Sequence, residues 1–207
     1  MPDSQFVTHT LADMAVKDRY FLLTACIVPR PIAFVTSFDA TGTILNAAPF
    51  SYFNGVCSDP PLIVLGLAAK PGDGGLVRKD TTRNILATGE FVVNTCSLEM
   101  ASIVQRAGED FPADQSEVDV LGLGTVPSLV VKPPRLAVAP VALECRLYQS
   151  LELGPKKSTL ILGEVLHLHV KAEFWVRNRV DFDAIQPLAR LGGGRYSGLT
   201  PSFKPGG

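Results

Sequence analysis

Long apolar runs are missing from this 207-residue sequence. The first segment, MPDSQFVTHTLADMAVKDRYFLLTAC, carries acidic residues early and has no uninterrupted apolar region, so it is unlike a secretory signal. No later apolar run reaches the roughly 18 to 20 residues that a membrane-spanning helix needs. We therefore expect a cytoplasmic protein that neither enters nor crosses a membrane.

An excess of charge of either sign is also missing. Nineteen lysines and arginines stand against twenty aspartates and glutamates, which gives a formal net charge of −1. Proteins that bind nucleic acid usually carry a strongly basic domain or stripe, and this composition offers none. We expect small-molecule ligands rather than nucleic acid.

Paired metal or redox cysteines are absent as well. The four cysteines, Cys26, Cys57, Cys96 and Cys145, are widely spaced and form no C-x-x-C pair, so we expect reduced thiols that lie mostly in the core. His167 and His169 alternate on one strand and share a face, but no third ligand stands at a suitable spacing, and no metal site is predicted.

The phosphate-binding and nucleophile motifs of the common α/β enzymes do not occur. There is no G-x-G-x-x-G, no Walker-type loop and no G-x-S-x-G. The glycine clusters PGDGG (71–75) and GLG (122–124) have neither the spacing nor the strand-then-helix context of a dinucleotide site. These absences argue against a doubly wound nucleotide fold and give little support to a Ser-His-Asp hydrolase.

The sequence does contain many short runs rich in Val, Ile, Leu and Phe, each bounded by turn residues. The predicted strands lie in PIAFVTSF (31–38), TILNAAPF (43–50), DPPLIVLGLA (59–68), EFVVNTC (90–96), RLAVAPVALECRLYQSLEL (135–153), STLILGEVLHLHV (158–170) and EFWVRNRVDF (173–182). Helical spacing occurs in a short segment after Lys79 and in LEMASIVQRAG (98–108), and GEDFPADQSEVDVLGLGTVPS (108–128) is predicted as a loop with at most a short helical piece. So few helices cannot cover both faces of a parallel sheet, and the fold class is mainly β with short helices, a closed or nearly closed antiparallel barrel.

The stretch RKDTTRNI (78–85) begins a short helix with an unusual number of groups that bind anions. Asp80 or Thr81 is suited to cap the helix N-terminus, and Gly89 stands where the helix should end. One interpretation is a well-capped surface helix. The other is a phosphate site, because the first turn presents unpaired N–H groups beside cationic and hydroxyl side chains.

Four segments together resemble the flavin reductase-like proteins that have the FMN-binding split-barrel fold. They are VPRPIAFVTSFDATGTILNAAPFSYFNGVCSDPPLIVLGL, KDTTRNILATGEFVVN, LILGEVLHLHV and PLARLGGGRY. The resemblance implies one flavin reductase-like domain over residues 1–207, with a core at about 20–185 between two extensions. It further implies an antiparallel, Greek-key-like split β-barrel that binds FMN and forms a homodimer.

The resemblance also implies where FMN binds. The phosphate side would be formed by Lys79, Asp80, Thr81 and Asn84, with Asp80 acting as a cap and Arg30 either adding a second cation or remaining an ordinary surface arginine. The isoalloxazine stretch would be formed by Asn46, Ala47, Ala48, Pro49, Phe50 and Ser51, where small residues let backbone groups approach the ring. The structural alternative for that stretch is a strand that ends in a bulge at Pro49, with its aromatic side chains in the core.

Near the C-terminus, RLGGGRY (190–196) resembles a family element that lies close to the flavin or at the dimer contact. Arg190 and Tyr196 are candidates for contacts with a nicotinamide nucleotide, and a flexible tail is the alternative.

The implied activity is reduction of FMN by NADH or NADPH, with electrons passing to a partner such as a monooxygenase, to free flavin or to oxygen. The cofactor carries this chemistry, so no catalytic side chain is named. Two alternatives stay open: a flavoredoxin-like FMN electron carrier without a nicotinamide site, and an FMN-dependent reductase of a small organic substrate.

Overall fold

The structure is a computed structural model that describes residues 5–199 and 202–205. Its helices are α1 (Val16–Cys26), α2 (Asp80–Thr88), α3 (Ala101–Arg106), α4 (Glu117–Val120) and α5 (Phe182–Ile185). Three short 3-10 turns lie at Leu11–Asp13, Leu98–Met100 and Ala172–Phe174. The strands are β1 (Arg30–Pro31), β2 (Ala33–Phe38), β3 (Leu45–Phe50), β4 (Phe53–Ser58), β5 (Pro61–Leu67), β6 (Lys70–Gly72), β7 (Gly75–Val77), β8 (Glu90–Thr95), β9 (Thr125–Val126), β10 (Arg135–Leu136), β11 (Val141–Leu153), β12 (Ser158–Val170), β13 (Trp175–Val176), β14 (Arg179–Val180), β15 (Leu188–Arg190) and β16 (Tyr196–Gly198).

The largest sheet has seven antiparallel strands in the order β3-β2-β8-β11-β12-β5-β4. Strands β3 and β4 therefore lie at opposite edges, although only Ser51 and Tyr52 connect them along the chain. Phe50 and Phe53 are three residues apart and can therefore be at most about 11 Å from each other, so the two edges come together there. The sheet closes into a barrel, which confirms the predicted fold class.

Two apolar cores lie on the two sides of the barrel wall, because successive residues of a strand point to opposite faces. On β2, Ala33 and Val35 face the barrel interior, where they pack with Leu65, Phe91 and Ile161. The alternate side chains face outward under α3 and α4; this outer cluster contains Ile32, Phe34, Ala47, Cys96, Met100, Val104, Ala107, Val118, Leu136, Ala139 and Leu188. Strand β2 is thus buried on both faces, and its polar residues Thr36 and Ser37 are buried as well.

The turn between β2 and β3 is held by Asp39 and Gly42. The carboxylate of Asp39 accepts hydrogen bonds from the backbone N–H groups of Thr43 and Ile44, both at 2.8 Å. Gly42 adopts φ 76°, a left-handed conformation that glycine takes without steric cost. Beyond this turn Pro49 pairs in register with Phe34, so the strand has no bulge at Pro49. A proline is tolerated there because β3 is an edge strand of the sheet.

Several predictions of local structure are wrong. The segment 173–182 is not one strand: Arg177 and Asn178 both have positive φ, as a type I′ turn requires, and they form the tip of the short β13–β14 hairpin. The run 135–153 is interrupted at residues 137–140, where a turn, with the N–H of Ala139 donating to the carbonyl of Leu136, separates β10 from β11. Helix α1 was not predicted, because its apolar residues are not gathered on one face and Thr24 is its only buried side chain.

Two of the four cysteines do not lie in the core. Cys96 and Cys145 are buried as expected, whereas Cys26 and Cys57 are exposed, and all four are free thiols. Within the described residues, no helix combines the length and the apolar character that crossing a membrane requires.

Candidate functional site

The site is built around the N-terminus of α2. Lys79, in extended conformation, is the N-cap residue, and the helix ends at Gly89 with φ 73°, as predicted. No side chain caps the helix within the described part of the chain, so the first-turn N–H groups remain free of side-chain partners. The prediction that Asp80 or Thr81 caps the helix is therefore wrong.

The carboxylate of Asp80 serves a different purpose. It accepts a 2.9 Å hydrogen bond from Lys70 Nζ and forms a second ion pair with Arg83. Burial opposes ionisation of this carboxyl, but the two cations outweigh it and lower the pKa of Asp80. The ion pair with Lys70 ties the β6–β7 hairpin to the start of α2.

A small chamber opens beside this helix terminus. Its volume is about 70 Å³, and it is lined by Asn46, Ala48, Pro49, Lys70, Lys79, Asp80, Thr81, Ala107, Gly108, Glu109, Asp110, Phe111 and Glu117. Lys79 has no carboxylate within ion-pair distance among the described residues. An unpaired ammonium beside a helix N-terminus is an arrangement that attracts an anion.

A larger cleft of about 480 Å³ continues from the chamber, since Pro49, Lys79, Gly108 and Glu109 line both. It is lined by Tyr20, Ile32, Pro49, Phe50, Ser51, Lys79, Val104, Gln105, Gly108, Glu109, Arg190, Gly194 and Tyr196. Its volume lies within the 300 to 1,000 Å³ typical of small-molecule sites.

The larger cleft has aromatic and cationic walls. Lys79 Nζ lies 5.6 Å from the centroid of the Phe50 ring, and Arg190 Cζ lies 4.3 Å from the centroid of the Tyr196 ring. Arg190 and Tyr196 face each other across the β15–β16 pair. The structure thus brings both residues predicted for the nicotinamide side into the cleft that contains Lys79 and Phe50.

The glycine run explains how those two residues meet. Gly193 and Gly194 have φ values of 63° and 79°, which allow the tight reversal between β15 and β16. A side chain at Gly192 would lie within 3.0 Å of the backbone of Ala25 in α1. The segment is an ordered hairpin packed on α1 rather than a flexible tail.

Three predicted residues are placed elsewhere. Arg30 is 5% exposed and donates hydrogen bonds to the backbone carbonyls of Thr24, Ile27 and Leu191, so its guanidinium ties three segments together instead of lining the Lys79 cleft. Asn84 is buried against Ser37, to which its amide donates at 3.3 Å.

Ala47 is the third of these residues. It is fully buried in the outer cluster, and its N–H already donates to the carboxylate of Glu117 at 2.9 Å. Of the predicted ring-binding stretch, Asn46, Ala48 and Pro49 line the chamber, whereas Pro49, Phe50 and Ser51 line the larger cleft.

Lys70 and Glu117 line the chamber but were not predicted from the sequence. Lys70 directly precedes the PGDGG cluster, and the sequence pattern there indicates a turn rather than a binding site. Glu117 lies in an acidic segment predicted as a loop with at most a short helical piece, and that piece is α4. Burial raises the pKa of Glu117, the N–H of Ala47 opposes that shift, and nearby Asp80 adds to it.

Of the two alternating histidines, His169 contacts a buried carboxylate. His169 Nε2 lies 2.7 Å from the fully buried carboxylate of Glu144, which also accepts hydrogen bonds from the N–H groups of Leu129 and Val130. Burial raises the pKa of Glu144, but these three hydrogen bonds outweigh it and the net pKa is lowered. Among the residues that the structure describes, no group of three or more His, Cys, Asp or Glu side chains could hold a metal ion.

Comparison with known proteins agrees with this architecture. The sequence model of one protein family, the flavin reductase like domain, matches residues 25–181. An uncharacterized protein of Halalkalibacterium halodurans is 37% identical over 191 residues, which cover 90% of each chain.

Two solved structures are also similar. Nitrilotriacetate monooxygenase component B from Bacillus cereus is 33% identical, with a TM-score of 0.89 over 96% of this chain and 98% of that one. The 2-nitrobenzoate 2-nitroreductase of Pseudomonas fluorescens is also 33% identical, with a TM-score of 0.85 over 96% and 94%.

Proposed function

Since the chain belongs to the flavin reductase-like family, we propose that it binds FMN along the Lys79 cleft and reduces it with NADH or NADPH. The observation that supports this proposal is that the small chamber and the larger cleft are connected but differ in their walls. A chamber with two lysines at a helix N-terminus opens into a larger cleft with aromatic walls. FMN has the matching asymmetry, with a phosphate dianion at one end and a flat ring at the other.

The residues present fit such a ligand. Lys70, Lys79 and the free N–H groups at the start of α2 would hold the phosphate by charge-assisted hydrogen bonds. Phe50 and Tyr196 offer flat apolar surface to the ring, and Ala48 lets the backbone of β3 approach closely. When bound, FMN supplies the hydride-accepting chemistry, while the protein positions the two reactants and excludes water.

Arg190 is the residue that would orient a nicotinamide nucleotide. Its guanidinium lies over the Tyr196 ring at the larger cleft, and no carboxylate lies within ion-pair distance in the described part of the chain. Arginine in a fixed orientation is suited to bidentate contact with a phosphate group.

The test of this proposal is optical. Purified protein is titrated with FMN and with riboflavin, and the complex is then mixed anaerobically with NADH or NADPH in a stopped-flow spectrometer. We expect tighter binding of FMN than of riboflavin, followed by rapid, saturable bleaching of the flavin band. Binding without bleaching by either nucleotide would favour the electron carrier, and failure to bind FMN would contradict the proposal.

The two similar solved structures point to different electron acceptors. One is a monooxygenase component and the other a nitroreductase, each at the same 33% identity. Steady-state NADH oxidation distinguishes the two routes for this protein. Stimulation by added free FMN would indicate a reductase that supplies a monooxygenase partner, whereas stimulation by a nitroaromatic compound at catalytic FMN would indicate direct reduction of an organic substrate.

We also propose that the protein is a homodimer. An apolar groove of about 440 Å³ runs between β4, β5 and the beginning of β12, and Arg30 lies at its wall. Large apolar side chains exposed on or near these elements include Ile27, Val28, Tyr52, Val56, Leu151 and Leu153. Contiguous exposed apolar surface is typical of interfaces. Light scattering should give twice the 22.2 kDa chain mass, and the monomer mass would contradict this part of the proposal.

A further inference from the structure

The buried carboxylate of Glu117 is held rigidly against the strand that forms the chamber wall. Ser116 donates from its hydroxyl to the carbonyl of Leu45 at 2.8 Å, which fixes the start of α4 on β3. One carboxylate oxygen, Oε2, accepts from the N–H of Ala47 at 2.9 Å. The other, Oε1, lies 3.2 Å from the side-chain amide of Asn46.

The Asn46 amide, in turn, connects Glu117 to Thr81. On its other side the amide lies 2.9 Å from the hydroxyl of Thr81, in the first turn of α2. Asn46 and Thr81 are 6% and 1% exposed and both line the chamber, so water cannot readily replace either partner. The three side chains form one continuous chain of hydrogen bonds.

The amide can take two orientations, and they suit different protonation states of Glu117. If Glu117 is ionised, the Asn46 N–H₂ donates to Glu117, and its oxygen accepts from the Thr81 hydroxyl at 2.9 Å and from the N–H of Ala47 at 3.2 Å. If Glu117 is protonated, its O–H donates to the Asn46 oxygen, and the amide N–H₂ donates to Thr81. Only in the second arrangement is the Thr81 hydroxyl hydrogen free to point at a ligand.

We propose that Glu117 is a positioning residue that takes up a proton from solvent when a phosphate binds beside Thr81, with the coupling transmitted by reorientation of the Asn46 amide. This inference rests on the proposed FMN site. A phosphate dianion carries only acceptor oxygens, so it selects the arrangement in which Thr81 donates. Protonation of Glu117 also removes a negative charge from the wall of an anion-binding chamber.

The other charged groups around Glu117 are compatible with a change in its protonation when a phosphate binds. The charged groups on the surrounding elements are Asp39, Lys70, Lys79, Asp80, Arg83, Glu109 and Asp110, and Asp119 lies on α4 itself. Asp80 favours the protonated form of Glu117 and Lys70 opposes it. Lys70 and Arg83 are both paired with Asp80, and among the described residues neither forms an ion pair with Glu117.

The sign of the pH dependence follows. A protein that must take up a proton to bind loses affinity as the pH rises above the pKa of that group, by up to about tenfold per pH unit. Ionisation of the FMN phosphate itself, near pH 6, acts in the opposite direction. Riboflavin has no phosphate, so its affinity should not depend on Glu117 in this way.

The test is calorimetric titration of the whole protein with FMN at about pH 7.5 in buffers of different ionisation enthalpy, which counts the protons taken up. We expect net uptake approaching one proton for the wild type and none for Glu117→Gln, whose amide can donate to Asn46 permanently. Asp119→Asn, on the same helix but exposed, should take up protons as the wild type does. Equal uptake by wild type and Glu117→Gln would overturn the inference.

A second pair of variants tests the same coupling at its other end. Thr81→Val should weaken FMN binding and abolish proton uptake, while Thr81→Ser, which keeps the hydroxyl, should restore both. Retained uptake in Thr81→Val would overturn the inference even if Glu117→Gln fails to fold. Failure of the wild type to bind FMN at all would contradict the proposed function and this inference with it, whereas binding without uptake would contradict only the inference.

Discussion

Lys79 offers the sharpest test of the phosphate chamber. Its ammonium lies at the N-cap of α2 and has no ion-pair partner among the described residues. Replacement by methionine keeps most of the apolar stem and removes the charge. Because no buried carboxylate is left unpaired, the cost to folding should be limited to the contact with Phe50, about 0.5 to 1 kcal/mol for a partly exposed cation over a ring.

The effect on ligand binding should be larger than the effect on folding. One hydrogen bond to a charged group contributes about 1.5 to 3 kcal/mol. At about 1.4 kcal/mol per factor of ten, loss of that bond in Lys79→Met should weaken FMN binding roughly 10- to 150-fold. Riboflavin affinity should barely change, since that ligand has no phosphate.

Quenching of flavin fluorescence measures both affinities in parallel. Lys156→Met, which removes one positive charge from an exposed turn, is the control for a general electrostatic effect. The reasoning is refuted if Lys79→Met leaves FMN affinity unchanged, or if it weakens FMN and riboflavin equally. The second result would place Lys79 at the ring rather than at the phosphate.

Two further predictions concern folding. Folding lowers the pKa of Glu144 below its ordinary value of 4.5. The ionised carboxylate therefore stabilises the folded protein fully above pH 4.5, and this stabilisation is lost as the pH falls through the lower pKa of the folded state. Glu144→Ala leaves His169 and the backbone donors unpaired. It should lower the free energy of unfolding, measured in urea, by about 3 kcal/mol near neutral pH and by less in acid. A loss that stays constant with pH would contradict this. At Gly163 a methyl group would overlap the ring of buried Phe91, so Gly163→Ala should cost about 1 to 3 kcal/mol by calorimetry. Gly55→Ala, with open space around it, is the control, and equal losses for the two variants would argue against the packing explanation.

Local patterns predicted much of the barrel. Runs such as 31–38 and 90–96 became β2 and β8 because β-branched and aromatic residues fit a pleated, half-buried surface, and turn residues bound each run. The limits of α2 were set by Gly89 at one end and by the polar residues after Arg78 at the other. Errors arose where one residue pair overrode the pattern, as the left-handed Arg177 and Asn178 do in a run that otherwise reads as strand.

The site could be predicted only where one short segment carries it. Lys79 and Thr81 are neighbours in sequence, and so are Pro49 and Phe50, and all four line the two connected spaces. Lys70 was missed because its role comes from an ion pair with Asp80 across a hairpin. Arg30 was predicted as a possible phosphate cation, yet backbone carbonyls from as far away as Leu191 surround it.

The sequence by itself determined the class of fold and the helix terminus suited to an anion, since periodicity, turn residues and glycine positions act through neighbouring residues. Tertiary structure alone decided that β3 and β4 close the barrel, that Arg190 and Tyr196 reach the cleft of Lys79, and that Glu117 lies against Asn46, 71 residues earlier in the chain. The physical reason is that hydrogen bonds and packing contacts between segments far apart in the sequence depend on how the sheet closes into a barrel. No local pattern encodes the positions at which two such segments will meet.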